Sequence, residues 1–322
     1  MVQRSAGSDA QDLVFGFIQA LNDEGKTSAV LKRFSRSESL NKKVIDYRVA
    51  YPDFRILPVD AFSERGLVVV RFILDLEGRT RVTGSEADVA PELLEAIAVC
   101  RVDGGAIAEL WFEMDLFAQV LERIGDPTDQ EHIGPLNAGV TLQGSKSPVT
   151  AADRARPADT SASRSLVLRY LAALNNQPKT PELIERFATD EALVEHVMAF
   201  EAGFPGYALV ADEIIAAGER VAVRFHTRQL HTREFMGVPP TGLEHSISGI
   251  VIYRVVGGKI VEHWLQADTW TLMQRLQESQ RDPTQGSAET PSTKRQLIDR
   301  RVRGSEYAGT ERRRPLSGIV DH

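Results

Sequence analysis

Asp268 ends an apolar strand pattern late in the chain, four residues after Trp264. Alternation places Glu262, Trp264 and Asp268 on one side of that strand and His263 on the other. Loss of hydration beside apolar groups raises the pKa of a carboxyl group, which suits it to proton transfer near neutral pH. The pattern therefore predicts a cleft with one ionisable group at its floor. The same Asp could instead cap the helix that follows the strand.

His226 and Arg224 share one side of an earlier strand, opposite Val223 and Phe225. These polar groups either line the cavity or face a neighbouring domain, and strand parity alone does not choose between them. We take His226 as the second candidate catalytic residue and Arg224 as a candidate binding residue.

Three helical patterns precede the strands and would supply the cavity's other wall. The first has an apolar stripe that includes Tyr170, and the third ends at Pro205. Aromatic residues on such stripes usually pack in a core, but here they could also form an apolar mouth. The predicted substrate-binding residues are Trp264, Arg224, Tyr170, Phe200, Phe204, Met236 and Glu262. Trp264 could contact either a ligand or only the core.

The whole arrangement occurs twice at an offset of 153 residues, without a gap, from about residue 12 to about residue 124. Trp111 corresponds to Trp264 and Asp115 to Asp268. A repeat of this length is the size of a domain, so we predict a tandem duplication.

The first copy lacks several polar residues of the second. Ile73 replaces His226, Lys43 replaces His196 and Leu110 replaces His263. We therefore expect the first copy to be a scaffold without chemistry of its own. His231 and His263 are interpreted as structural or surface residues.

The domain boundaries follow from changes in composition. We predict a disordered N-terminus at 1–11, a first domain at 12–125, a linker at 126–162, a second domain at 163–277 and a disordered Arg-rich tail at 278–322.

Composition limits the possible partners. The net charge of −7 and the pI near 5.6 argue against nucleic acid as the main partner. No segment has transmembrane length, and the start of the chain has no apolar signal region, so we expect a soluble cytoplasmic protein. The single cysteine, Cys100, is predicted to be a buried, inert thiol. The seven histidines show no metal-binding spacing.

The second copy resembles the SnoaL-like polyketide cyclases, a branch of the NTF2-like proteins. The resemblance rests on His231 and the Gly237 to Gly242 segment, on Tyr253-Arg254, and on Glu262-His263-Trp264 with Asp268. It implies an α+β fold in which three helices pack on a curved antiparallel sheet. It also implies an aldol-type cyclase or isomerase of antibiotic biosynthesis that needs no metal or cofactor, with Asp268 as the general acid and base.

Two other functions stay open at this point. A duplicated chain of this type could instead hold a small hydrophobic metabolite without catalysis, because a fold does not dictate a function. The long tail would suit a protein–protein adaptor. In each case we expect the first domain to pack on the second as an internal pseudo-dimer.

Overall fold

The computed structural model describes residues 6–50, 53–75, 93–114 and 159–281. The first half begins with three helices, α1 (Ala6–Asp23), α2 (Ser28–Phe34) and α3 (Glu38–Ala50). Four strands follow, β1 (Arg55–Glu64), β2 (Leu67–Asp75), β3 (Leu93–Asp103) and β4 (Ala106–Met114).

The second half repeats this order. Its helices are α4 (Thr160–Asn176), α5 (Pro181–Glu185) and α6 (Glu191–Gly203). Its strands are β5 (Ala208–Ala217), β6 (Arg220–Leu230), β7 (Glu244–His245), β8 (Ser248–Val256) and β9 (Lys259–Ala267), and α7 (Thr269–Arg281) closes it. The predicted α+β class is confirmed. None of the helices in these described ranges is both long and apolar enough to span a membrane.

Several element boundaries differ from the sequence prediction. Helix α1 begins at Ala6, inside the segment predicted to be disordered, and α7 runs on to Arg281. Helix α4 begins at Thr160, inside the predicted linker, because the Asp159 carboxylate accepts hydrogen bonds from the Ser161 and Ala162 amides. Asp115, most of the linker and the Arg-rich tail beyond residue 281 lie outside the described residues.

The two sheets have matching ladders. The described strands of the first half pair in the antiparallel order β1-β2-β3-β4, and those of the second half pair as β5-β6-β8-β9. A bulge interrupts β1 between Pro58 and Asp60, and another interrupts β5 between Ala211 and Glu213. Ala211 lies 153 positions after Pro58, and Glu213 lies 153 positions after Asp60. The two bulges are therefore equivalent, which supports the predicted duplication.

Each sheet packs its helices on one face and meets the other sheet on its opposite face. One buried apolar cluster contains residues of both halves: Phe62, Leu67, Val69, Ile97, Val99, Ile215, Ala222, Ile250 and Ile252. Trp111 and Trp264 pack at its edge. The described residues of both halves, up to Gln280, belong to one compact unit.

Candidate functional site

The second half contains a cavity of about 110 Å³ between its helices and its sheet, which we call the second cavity. Most of its wall is aliphatic or aromatic. The lining residues that carry a side-chain heteroatom are Tyr170, His196, Tyr207, Thr227, Tyr253, His263 and Thr269. A mostly apolar hollow with a few convergent polar groups is the usual form of a small-molecule site.

A series of hydrogen bonds runs from the protein interior into this cavity. Asp190 is completely buried, and its Oδ2 lies 2.7 Å from Nδ1 of His263. Nε2 of His263 lies 3.2 Å from Nδ1 of His196, and both imidazoles line the cavity. We call these three residues the Asp190–His263–His196 series. It joins a buried carboxylate to a cavity wall through two imidazole rings.

The fold positions the series from two elements. Asp190 is the N-cap residue of α6, and His196 lies on the same helix. His263 comes from the middle of β9, on the strand face that meets the helices. The Asp190 side chain makes no capping bond to its own helix, although the helix N-terminus favours its negative charge. The carboxylate is instead used to orient His263.

The carboxylate at one end sets the direction of the series, because it can only accept a hydrogen bond. Burial, and then the neighbouring His263, lower the pKa of His196 to about 4, so its ring is neutral at pH 7. Asp190 accepts the Nδ1–H of His263, whose Nε2 can then accept the Nδ1–H of His196. Nε2 of His196 is left as a proton acceptor. When it takes a proton, the positive charge can pass to His263 beside the carboxylate.

The tyrosines of the cavity are neutral hydrogen-bond donors. Burial raises the pKa of Tyr170, Tyr207 and Tyr253 well above the ordinary value. The Tyr170 ring is fully buried, and its hydroxyl has no hydrogen-bond partner within the described part of the chain. A buried donor of this kind is available to a carbonyl oxygen of a ligand.

The prediction that Trp264 and Glu262 line the cavity is not supported by their positions. Strand parity places both on the face of β9 that meets the first half. The Trp264 ring lies 4.7 Å below the Arg71 guanidinium, and Glu262 binds Nε of Arg254 at 2.7 Å. The alternation was predicted correctly, but His263 and Leu265 face the cavity instead.

Arg224 and His226 also lie on the face that meets the first half. Arg224 stacks on Trp111 at 4.7 Å, and Nδ1 of His226 lies 2.9 Å from Oδ1 of Asp212. Their neighbours Phe225 and Thr227 line the cavity. Of the two alternatives that the sequence left open for these polar groups, the structure places them toward the neighbouring domain.

Asp268 lies at the junction of β9 and α7. Its Oδ1 accepts a hydrogen bond from the Thr271 amide at 3.2 Å, which is the capping role considered as the alternative. Asp268 itself does not line the cavity, whereas Ala267 and Thr269 on either side of it do.

The aromatic residues predicted at the mouth divide into two groups. Tyr170 and Phe200 line the cavity. Phe204 is buried behind it, with its ring centroid 4.7 Å from that of Phe235, and Met236 packs against the same core. Phe235, which the sequence analysis did not select, reaches the cavity from the segment between β6 and β7.

His231 holds this segment in place. It is fully buried, and its Nδ1 accepts a hydrogen bond from the Thr241 amide at 3.2 Å. The interpretation of His231 as structural agrees with this position, whereas His263 belongs to the site. Further site residues that were not selected from the sequence are Asp190, His196, Tyr253 and His263. The comparison of the two copies had already set His196 and His263 against Lys43 and Leu110, and the same comparison sets Asp190 and Tyr253 against Ser37 and Cys100.

Comparisons with known proteins agree with the resemblance. Residues 166–276 match the family described as SnoaL-like polyketide cyclase. No curated protein matches the chain.

The similar solved structures include two from Streptomyces species. AclR, a candidate hydroxylase from Streptomyces galilaeus, is 29% identical over 37% of this chain and 98% of its own, with a TM-score of 0.34. IdmH, a candidate polyketide cyclase from Streptomyces antibioticus, is 25% identical over 35% of this chain and 97% of its own, with a TM-score of 0.32. The residues that match the SnoaL-like polyketide cyclase family, 166–276, include every residue that lines the second cavity.

Proposed function

We propose that the second half is a cyclase-like enzyme that moves protons on an enolisable, polyketide-type metabolite without a cofactor. The observation that carries this proposal is the Asp190–His263–His196 series, which ends at the wall of an apolar cavity. A base for a C–H next to a carbonyl must lie within hydrogen-bond reach of that proton in an environment that excludes water.

His196 is the group that would take this proton. Alone it would be a weak base, because burial lowers its pKa to about 4. The hydrogen bond to His263 makes His196 a stronger base, since the positive charge that it gains can move to the His263 ring. The proton on Nδ1 of His196 moves to His263 as Nε2 gains the substrate's proton, and the resulting imidazolium lies beside Asp190.

The same groups can return the proton. After the new carbon–carbon bond forms, an alkoxide remains on the substrate, and Nε2–H of His196 can protonate it. Tyr170 would donate a hydrogen bond to the oxygen on which negative charge develops. The cavity would supply proximity by holding the substrate chain folded.

Exchange of α-hydrogens tests the proposal without knowledge of the natural substrate. The full chain would be incubated with the bicyclic ketone 2-tetralone in D₂O, and the replacement of the α-hydrogens of the ketone by deuterium would be followed by NMR. We expect catalysed exchange by the wild type and a loss of roughly 100-fold or more in His263→Leu, in line with the usual contribution of a general base. The first half has Leu110 at the equivalent strand position, so this substitution suits the fold.

Asp268→Asn is the matched control. Asn also caps helices, so α7 should remain intact. Exchange within about twofold of wild type is expected if His196 is the base. Loss of exchange in Asp268→Asn, with retention in His263→Leu, would transfer the catalytic role to Asp268. Saturable 2-tetralone binding without exchange by the wild type would instead favour a non-catalytic binding protein.

A further inference from the structure

The first half also contains a cavity, of about 90 Å³, in the equivalent place between its helices and its sheet. We call it the first cavity. Its position follows the 153-residue offset: Phe17, Lys43, Cys100 and Leu110 line it where Tyr170, His196, Tyr253 and His263 line the second.

The wall of the first cavity is almost free of hydrogen-bonding groups. Among its described lining residues, only Lys43, Tyr47 and Cys100 carry a side-chain heteroatom. Burial raises the pKa of the Cys100 thiol to about 12, so this group is neutral. The Lys43 ammonium lies 5.0 Å from the centre of the Phe112 ring. Water would find few partners here, although the volume is sufficient for several molecules.

The first half has lost the polar groups without filling the space. Cys100 and Ala98 are smaller than their counterparts Tyr253 and Val251, while Phe112 is larger than Leu265. An unfilled cavity destabilises a protein by about 24 cal/mol per Å³, which amounts to roughly 2 kcal/mol for a cavity of this size. A half retained only as a scaffold would be stabilised by larger side chains at these positions.

We propose that the first cavity is a second binding site, which takes a neutral, hydrocarbon-like molecule such as an aromatic ring or a compact branched alkyl group. An apolar ligand gains about 25 cal/mol for each Å² removed from water and requires no hydrogen bond from the wall. A charged ligand would lose its hydration and find little to replace it. This site is independent of the proposed chemistry in the second half.

The probe is 1-fluoronaphthalene, added to the full chain and followed by ¹⁹F NMR. Cys100→Phe would block the first cavity. The second half has an aromatic ring at the equivalent position, where Tyr253 packs edge-on against Tyr170 at 5.8 Å. Phe17 occupies the position of Tyr170 in the first half, so a Phe at position 100 would have the same type of neighbour. Leu265→Phe is the matched control, because it places the first half's residue in the second cavity.

We expect saturable binding by the wild type and by Leu265→Phe, and a loss of at least about tenfold in affinity in Cys100→Phe, since the ring would fill the space. No wild-type binding, or equal binding by all three proteins, would overturn the proposal. Tighter binding of 1-naphthoate than of 1-fluoronaphthalene would overturn its assignment to a neutral ligand.

A second measurement avoids any substitution. Cys100 is the only cysteine of the chain and lines the first cavity, so its modification reports directly on that space. Saturating 1-fluoronaphthalene should slow the reaction of wild-type Cys100 with N-ethylmaleimide at least severalfold. An unchanged rate would contradict occupation of the first cavity even if Cys100→Phe failed to fold.

Discussion

Asp190 and Ser37 occupy equivalent positions at the start of α6 and α3, and their side chains have different roles. The Ser37 hydroxyl accepts a hydrogen bond from the Leu40 amide at 3.3 Å, as an N-cap residue normally does. Asp190 makes no such bond, and its Oδ2 binds His263. In the second half the residue at the capping position therefore anchors the Asp190–His263–His196 series, and its side chain leaves the N-terminus of α6 without a capping bond.

Tyr170→Phe should make the protein more stable. The Tyr170 hydroxyl is buried without a partner in the described ranges, and Phe17 shows that the fold accepts Phe at this position. Removal of an unsatisfied buried hydroxyl should raise the free energy of unfolding by roughly 1 kcal/mol, measured by urea denaturation. The reverse change, Phe17→Tyr, should lower it. A loss of stability in Tyr170→Phe would mean that the hydroxyl has a partner.

His196 should make stability depend on pH between about 6.5 and about 4. Folding lowers its pKa from 6.5 to about 4, mainly through burial and through the neighbouring His263. The unfolded chain therefore binds more protons in this window, and stability is lost as the pH falls. His196→Gln should reduce the loss between pH 7.5 and pH 4.5 by about 1 to 3 kcal/mol, measured by urea unfolding at both values.

His245 should also contribute to the pH dependence of stability. Burial also lowers its pKa to about 4, so part of the slope should persist in His196→Gln. The double variant with His245→Gln should flatten the profile further. An identical pH dependence in wild type and His196→Gln would show that His196 is not held neutral by the fold.

The sequence predicted which residues share a strand face but not which face the helices cover. Alternation correctly separated Trp264 from His263, yet both faces of β9 are largely covered, one by helices and one by the other sheet. On a strand covered on both sides, an aromatic residue does not mark the ligand side. The ligand side is indicated instead by the differences between the two copies. Both copies have the same fold, so a polar group that is present in only one of them is not required for folding.

Sheet contacts determine the shape of the second cavity at the level of elements. The Phe225 ring of β6 lies directly over Gly249 of β8, where an added Cβ would be 2.4 Å from Cζ of the ring. The first half has Ala96 at the position of Gly249, and there the equivalent Phe72 stacks on Phe112 at 5.9 Å. Gly249 therefore allows the end of the Phe225 ring to approach the sheet more closely than any side chain at this position would permit.

Gly249→Ala should push the Phe225 ring into the second cavity. We expect a loss of about 1 to 3 kcal/mol in the free energy of unfolding, as is usual for overpacking, and weaker 2-tetralone binding. Ala96→Gly in the first half is the control and should leave 2-tetralone binding unchanged. Wild-type 2-tetralone affinity in Gly249→Ala would show that the ring has another place to move.

The helical stripes and the strands that carry His226 and Trp264 were predicted from the sequence, whereas β1 and β5 were not. Each of these strands contains a bulge, which places two residues opposite one and shifts the alternation within the strand. A period of two is then interrupted before it becomes visible. Strand β9 also has a register shift, opposite Arg254 and Val255, but the shift lies near its start, and the alternation from Glu262 to Asp268 that the sequence predicted is unbroken.

The contact between the halves is nearly two-fold symmetric at the scale of the whole molecule. Arg71 stacks on Trp264 and Arg224 stacks on Trp111, each at 4.7 Å, so that each half contributes one cation and one indole. The ion pairs break this symmetry: Arg220 binds Asp60 at 2.7 Å, whereas Arg101 binds Glu213 at 3.3 Å. The apolar cluster lies between the two sheets, and the charged pairs join the halves at specific positions.

A protein cut between its halves should therefore remain one particle. With a protease site inserted after residue 139, the cleaved wild type is expected to elute as a single species, because separation would expose the apolar cluster to water. Ile97→Glu places a charge at a fully buried position of that cluster, and Ile250→Glu does so at the equivalent position. Either should separate the cleaved halves or unfold them, since an unpaired buried charge costs several kcal/mol.

Val49→Glu, at a side chain that is 79% exposed on α3, should have no effect. Recovery of two independent folded halves from the cleaved wild type would show that each sheet is stable without the other, and that the first half is not needed to cover the second.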